Sequence, residues 1–276
     1  MPWSIISVGA CFLVFGLLSL RFPCNPGQPR FVSRESADDL LYYFVSVLFY
    51  TGLTGAAAAW LATTLGGGPA AAKAMQAGFG WLPRLPLIAQ VAIVFLVTDL
   101  IQYWLHRILH GRALWPYHAI HHSARHVDWS TTFRVHPVNY LFYSLSVGVV
   151  IQLMGFSPRV FVFVAPINLA IGAMVHANLD WTFGPFRYVL ASPVFHRWHH
   201  SSDPAVRDRN FAPTFPILDV LFGTFHMPQG ELPRDYGVEG VPEHFFGQMI
   251  YPFRPWIESV SRAGRAKPGK PELSST

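Results

Sequence analysis

Charge is scarce in this 276-residue chain: Asp, Glu, Lys and Arg together make 13% of it, where a soluble globular domain carries about 25%. The deficit argues for a chain that meets lipid. Cysteine is scarcer still. Cys11 and Cys24 are the whole supply, and they form neither a CxxC pair nor a disulfide framework, so redox chemistry through sulfur is not expected. Also missing are an HExxH zincin signature, any acidic residue inside a histidine cluster, a flavin or nicotinamide fingerprint, and a Cys-rich run for iron and sulfur. No internal repeat is present. The formal net charge of +5 is accounted for by membrane topology and surface lipid, so no nucleic-acid partner is inferred.

What fills the chain instead is hydrocarbon. Apolar runs at Trp3–Leu20, Leu40–Leu65 and Leu85–Leu105 each reach the roughly 17 to 25 residues that cross a bilayer. Two more, Val138–Phe156 and Arg159–Val175, are parted only by the turn-like pair Ser157-Pro158 and read as a helical hairpin. The first run lacks a positive leader and is too long for a signal h-region, so it is expected to be a retained helix. With the segment after the first span placed in the cytoplasm, seventeen of the twenty Lys and Arg fall on that side, leaving only Lys73, Arg84 and Arg159 opposite, as the positive-inside rule asks. The expected fold is an all-α integral membrane protein with about five spans, one hairpin among them, and a cytoplasmic helical cap. Residues 1–84 form N-terminal membrane helices and a connector, 85–259 carry the chemistry, and 260–276 are a disordered basic tail.

Against the missing motifs stand thirteen histidines. "HRILH" places His106 and His110 four apart at the cytoplasmic end of the third span; "HAIHHSARH" opens with His118, His121 and His122; "HRWHH" supplies His196, His199 and His200. Residues three and four apart share a helix face, so each cluster should present its imidazoles in one direction, as neutral nitrogen ligands for metal must be. Eight ligands are too many for one ion and suit two. All three clusters fall on the cytoplasmic side, which separates this pattern from a transporter, whose ligands line several spans.

Other candidates lie at the same level. Asp99, inside the third span, is an ionisable group at membrane depth; it could lock the bundle or accept a ring N–H from a ligand histidine. His176 ends the fifth span and begins "HANLD", bringing Asn178 and Asp180 into the same layer. His136 could be a ligand or the cap before the fourth span, His126 belongs outside the cluster, and His226 and His244, each alone, read as structural.

The series HxxxH, HxxHH, HxxHH, with a membrane hairpin before the third, resembles the fatty acid hydroxylase and sterol desaturase superfamily of membrane di-iron oxygenases. "DLIQYWLHRILH", "LWPYHAIHHS", "TTFRVHPV", "HANLDW", "SPVFHRWHHS" and "DVLFGTF" stand in the expected order. Where members often carry an Asn-Tyr-Gly run and an aromatic residue before the Asp, this chain has "NFAP" and Leu218-Asp219. The resemblance implies two iron ions (Fe2+) held by His106, His110, His118, His121, His122, His196, His199 and His200, with His176 a further ligand. Asp180 stands where some members carry another histidine or an acidic residue, which leaves open whether it is a ligand or lies behind one, and Asp99 and Asn178 are expected behind the ligands. It also implies O2 as co-substrate, hydroxylation or desaturation of an unactivated C–H bond in a membrane lipid (a sterol, fatty acyl group or relative), and electrons from a separate ferredoxin, cytochrome b5 or reductase. Short loops and small size favour a bacterial inner membrane over the endoplasmic reticulum. The competing reading is a non-catalytic metal-binding membrane protein on the same fold.

Overall fold

The computed structural model describes residues 2–29, 33–64 and 68–257; the expected basic tail, 260–276, lies outside the described residues. Among those described the chain is helix and loop, apart from an isolated bridge between Ser201 and Tyr236. The helices are α1 (Pro2–Arg21), α2 (Arg34–Thr64), α3 (Pro69–Ala77), α4 (Leu87–Leu109), α5 (Trp115–His122), α6 (Pro137–Leu153), α7 (Phe161–His176), α8 (Pro193–His199), α9 (Ile217–Leu221) and α10 (Phe245–Ile250).

Hydropathy alone leads one to expect five spans. By length and composition the described residues hold two helices that can cross: α4, and α7 extended by the 3-10 turn before it to Pro158–His176. The apolar described part of α1 (Ile6–Arg21) and all of α6 are shorter. The difference at α6 has a local cause. The run Val138–Phe156 includes the turn, so only 17 residues are helical, about 26 Å at 1.5 Å per residue. Gly155 makes that turn with φ 88°, and a Cβ there would lie 2.2 Å from the carbonyl oxygen of Phe79, so only glycine fits.

α4 shows why these helices need an apolar solvent. Val94, Asp99, Tyr103 and His106 are buried on one side, while Ile88, Leu96, Leu100, Trp104 and Ile108 stand exposed on the other. The exposed set repeats at multiples of four residues, one continuous stripe. Leu145, Val149 and Leu153 form its counterpart on α6, and Val162, Phe163 and Ile167 on α7. Surfaces of this extent mark contact with membrane or protein.

Helix α7 is the hub. Its first half joins α4 and α6 through Val94, Val147, Ile151, Phe156 and Val164; its second half meets α1 and the 3-10 turn Trp129–Phe133 through Cys11, Trp129, Ala173 and Ala177. Its end reaches α8 through Val175, Val194, Phe195 and Trp198. The approach to the 3-10 turn is close: a Cβ on Gly172 would come 2.6 Å from Thr132 Oγ1. That turn is in turn tied to the start of α2, where buried Arg134 reaches Asp39 at 2.6 Å and Ser130 donates to Asp39 at 2.9 Å. Both cysteines are buried free thiols.

Candidate metal centre

Three short or terminal helical segments bring the histidine clusters together. His106 and His110 sit at the C-terminal end of α4. α5 starts at Trp115, carries Pro116 in its first turn, where the missing N–H costs nothing, and ends at His122. α8 starts after Ser192, whose side chain accepts the Phe195 N–H, and carries Pro193 at its first position. His176 arrives from the last turn of α7.

The nine histidines form two groups, within each of which the ligand nitrogens lie within 4.8 Å of one another: His106, His110, His118, His122 and His199 in one, and His121, His176, His196 and His200 in the other. Spacing alone predicts that the second and third clusters each point one way. Each instead divides. Residues four apart on a helix differ by about 40° in direction, but adjacent ones by about 100°. His118 and His122 therefore face one group and His121 the other, while His196 and His200 face the second group and His199 the first.

Hydrogen bonds on the far side of the rings fix the tautomers. A carbonyl only accepts, so the imidazole must donate. His106 donates from Nδ1 to the Phe211 carbonyl (2.8 Å), His121 to Arg134 (3.2 Å), His176 to Gly172 (2.7 Å) and His199 to Arg209 (2.7 Å). Each of these neutral rings then keeps a lone pair on Nε2, turned inward. His176 and His121 bring those lone-pair nitrogens within 3.2 Å of each other, and His199 Nε2 is buried with no partner. Neither member of the His121–His176 pair has a proton to share, so the contact is repulsive unless a cation accepts both lone pairs. The donor set fits metal ions.

Protonation offers no other relief. Burial, followed by the neighbouring imidazoles, holds His118, His121, His122, His196, His199 and His200 well below the ordinary histidine range. Because the unfolded chain binds protons near pH 6.5 and the folded one resists them, this stability is complete above about pH 6.5 and is lost as pH falls below it. Metal-free protein titrated from pH 7.5 to 5.5 should show a melting temperature that drops throughout the lower half of that range; a flat profile would contradict the burial of neutral rings.

Several residues holding the centre are not singled out by the sequence. Asp208 Oδ1 accepts from His110 Nδ1 at 2.9 Å, the carboxylate–histidine arrangement that orients metal ligands. Asp208 and Asn210 both adopt left-handed backbone, φ 61° and 58°, which Asp and Asn tolerate best among non-glycine residues. The local signal was the Asp-Arg-Asn sequence itself. Asn139 meets His118 Nδ1 at 3.0 Å. Buried Asp219 accepts the N–H groups of Phe211 and Ala212, holding the turn whose carbonyl holds His106. Asp208→Asn is expected to weaken metal retention about 10- to 100-fold, read by competition with a chelator, without disturbing the helical circular-dichroism spectrum.

The remaining candidates stand apart. Asp99 accepts the Phe215 N–H at 3.0 Å. Asn178 pairs with Asn25 through both of its amide atoms, at 2.8 and 3.0 Å. Asp180 is exposed, and its backbone N–H donates to Phe22. Among the described residues none of the three hydrogen-bonds a histidine of either group. His136 caps α6 by accepting the Val138 N–H; His126 meets Glu35, His226 packs on Trp198, and His244 sits beside Arg34.

Residues 91–224 match the fatty acid hydroxylase family. An ornithine lipid hydroxylase of Rhizobium tropici is 32% identical over 187 residues, covering 67% of this chain and 54% of that protein. An alkylglycerol monooxygenase of Danio rerio is 33% identical, covering 48% of this chain and 30% of that one, and a very-long-chain aldehyde decarbonylase of Oryza sativa subsp. indica is 30% identical, with 50% and 53% covered. The chain thus spans about half, or less, of the length of these relatives. No solved structure matches it.

Proposed function

The chain belongs to the fatty acid hydroxylase and sterol desaturase superfamily, and from that premise we propose that it holds two iron ions and uses O2 to hydroxylate an unactivated C–H bond in a membrane lipid. The observation that carries the reading is the pair of histidine groups, each turning lone-pair nitrogens onto a common point. His106, His110, His118, His122 and His199 would hold one iron, and His121, His176, His196 and His200 the other. Two ferrous ions held by these groups would supply what acid–base side chains cannot, the activation of O2 for attack on an unactivated C–H bond. In the balanced reaction, one oxygen atom enters the alcohol and the other leaves as water, with two protons and two electrons consumed. The electrons come from a separate donor protein, a ferredoxin, cytochrome b5 or reductase.

The protein's own part is to bind and to orient. Backbone carbonyls of Phe211, Arg134, Gly172 and Arg209 lock four ring orientations. Trp115 lies 5.2 Å from His110 and 5.4 Å from His122, and Phe211 lies 5.0 Å from His110, which shields the first group from water. The apolar stripes on α4, α6 and α7 support contact of these helices with the bilayer, and the excess of Lys and Arg on the histidine side supports placing the histidines at the cytoplasmic face of a five-span chain, so the substrate chain enters from the hydrocarbon. Hydroxylation is preferred over desaturation because two relatives are named as a lipid hydroxylase and a monooxygenase.

The test has two readings on one preparation. Protein purified in detergent from iron-replete cells should contain about two irons per chain. Lipid extracts of those cells should contain a species heavier by one oxygen atom, absent when His121→Ala replaces the wild type. A species lighter by two hydrogens would move the assignment to desaturation, and protein without iron would refute it.

A further inference from the structure

Among the described residues two arginines are completely buried, Arg134 and Arg197, and their surroundings differ. Arg134 lies against two carboxylates, Asp39 at 2.6 Å and Glu35 at 3.8 Å. Arg197, inside the third histidine cluster, has no carboxylate within ion-pair distance among the described residues. Neutral groups surround it. One terminal nitrogen donates to the carbonyls of Val127 (2.6 Å) and His176 (3.2 Å); the other donates to Gln28 Oε1 (3.3 Å) and to Asn25 Oδ1. Tyr236 presents its ring 4.8 Å from the guanidinium carbon. Nε has no partner among the described residues. The nearby Cys24 offers no negative charge either, since burial pushes its thiol up and keeps it protonated.

A buried cation left without a counter-charge is costly and is retained only where something uses it. Its position indicates the use. Arg197 grips the carbonyl of His176 and follows His196 in sequence, so its guanidinium anchors one histidine of the second group directly and sits next to another along the chain. The same guanidinium fastens the loop between α1 and α2, outside the family-matched segment, to the centre.

We propose that Arg197 is a positioning residue that also acts electrostatically. It pins His176, and its uncompensated charge raises the reduction potential of the metal held by His121, His176, His196 and His200 above that of the other metal. A fixed positive charge beside a metal's ligands disfavours the more highly charged, oxidised ion, and in a dry interior that effect is weakly screened. The inference rests on the two-metal reading above.

Asn25→Asp tests it with almost no change of shape, since it sets a carboxylate where the amide oxygen now meets the guanidinium. Gln28→Glu places the same charge on the other side-chain acceptor and serves if the first variant folds poorly. Arg197→Lys keeps the charge but cannot reach all four acceptors. Iron-loaded proteins in detergent would be assayed for iron content and for midpoint potentials by dye-equilibrated titration followed spectroscopically. The acidic variants should keep about two irons and show one of two potentials lowered. Arg197→Lys should keep both potentials but lose one iron faster to a chelator. Unchanged potentials in the acidic variants, or an equal lowering in Arg197→Lys, would overturn the proposal while leaving the two-iron reading intact. Wild-type protein without iron would overturn both.

Discussion

His199→Ala and His121→Ala are each expected to reduce bound iron from about two ions per chain to about one, and to lower turnover by at least about 10²-fold. The two variants should lose different ions, because His199 belongs with His106, His110, His118 and His122, whereas His121 belongs with His176, His196 and His200. Pairing the variants makes the division measurable. Elemental analysis of each single variant and of the double variant should give a staircase, with the double variant near zero. His126→Ala is the control: its ring meets Glu35 rather than either group, so iron content should hold. If both single variants emptied the protein completely, the two groups would be acting as one site. If His126→Ala behaved like them, the loss would reflect general damage.

The second large effect lies away from the metals. Arg134→Met should destabilise the protein by about 3 to 5 kcal/mol, the usual cost of stranding one member of a buried ion pair. Asp39, 1% exposed and with its carboxyl pKa already pushed up to about 7 by burial, would lose the guanidinium now 2.6 Å away and would have to take up a proton or stay charged and unpaired. Against a total stability of about 5 to 15 kcal/mol, that is a large fraction, and it would appear as a strongly lowered melting temperature in detergent. The double variant Arg134→Met with Asp39→Leu removes both charges and should recover much of the loss. The site should respond as well, because Arg134 supplies the carbonyl that holds His121 and its side chain ties that segment to α2. Unaltered melting in Arg134→Met would show that the pair contributes nothing net. A double variant no better than the single one would assign the loss to packing instead.

Much of the centre is legible in the sequence alone. Imidazole spacing of three and four residues, repeated in three clusters, singles out eight of the nine histidines that converge, and the position of His176 at the end of an apolar run singles out the ninth. The hairpin turn at Ser157-Pro158 is equally visible, since Ser157 caps the turn that follows it. Helical periodicity and turn chemistry are local, so a linear reading captures them. The lengths of the helices are less legible. Apolar turn residues such as Phe156 continue the hydrophobic run of α6 past its true end at Leu153, because hydropathy alone does not register where the backbone leaves the helix.

By itself, then, the sequence determined which imidazoles converge and that they lie on helices with one apolar face. Only the tertiary structure decided how those side chains are shared. His121 and His122 are adjacent in the chain yet belong to different groups, because α4 brings His106 and His110 to one face of α5 and α7 brings His176 to another. The partners that orient the rings are mostly backbone carbonyls, those of Phe211, Arg134, Gly172 and Arg209, and a carbonyl belongs to every residue type, so no letter of the sequence announces it. Arg197 reads in the sequence as one more basic residue. Its burial against neutral oxygens, far apart in sequence at Asn25, Val127 and His176, exists only once the chain has folded, because long-range packing alone determines which charges are left without a partner.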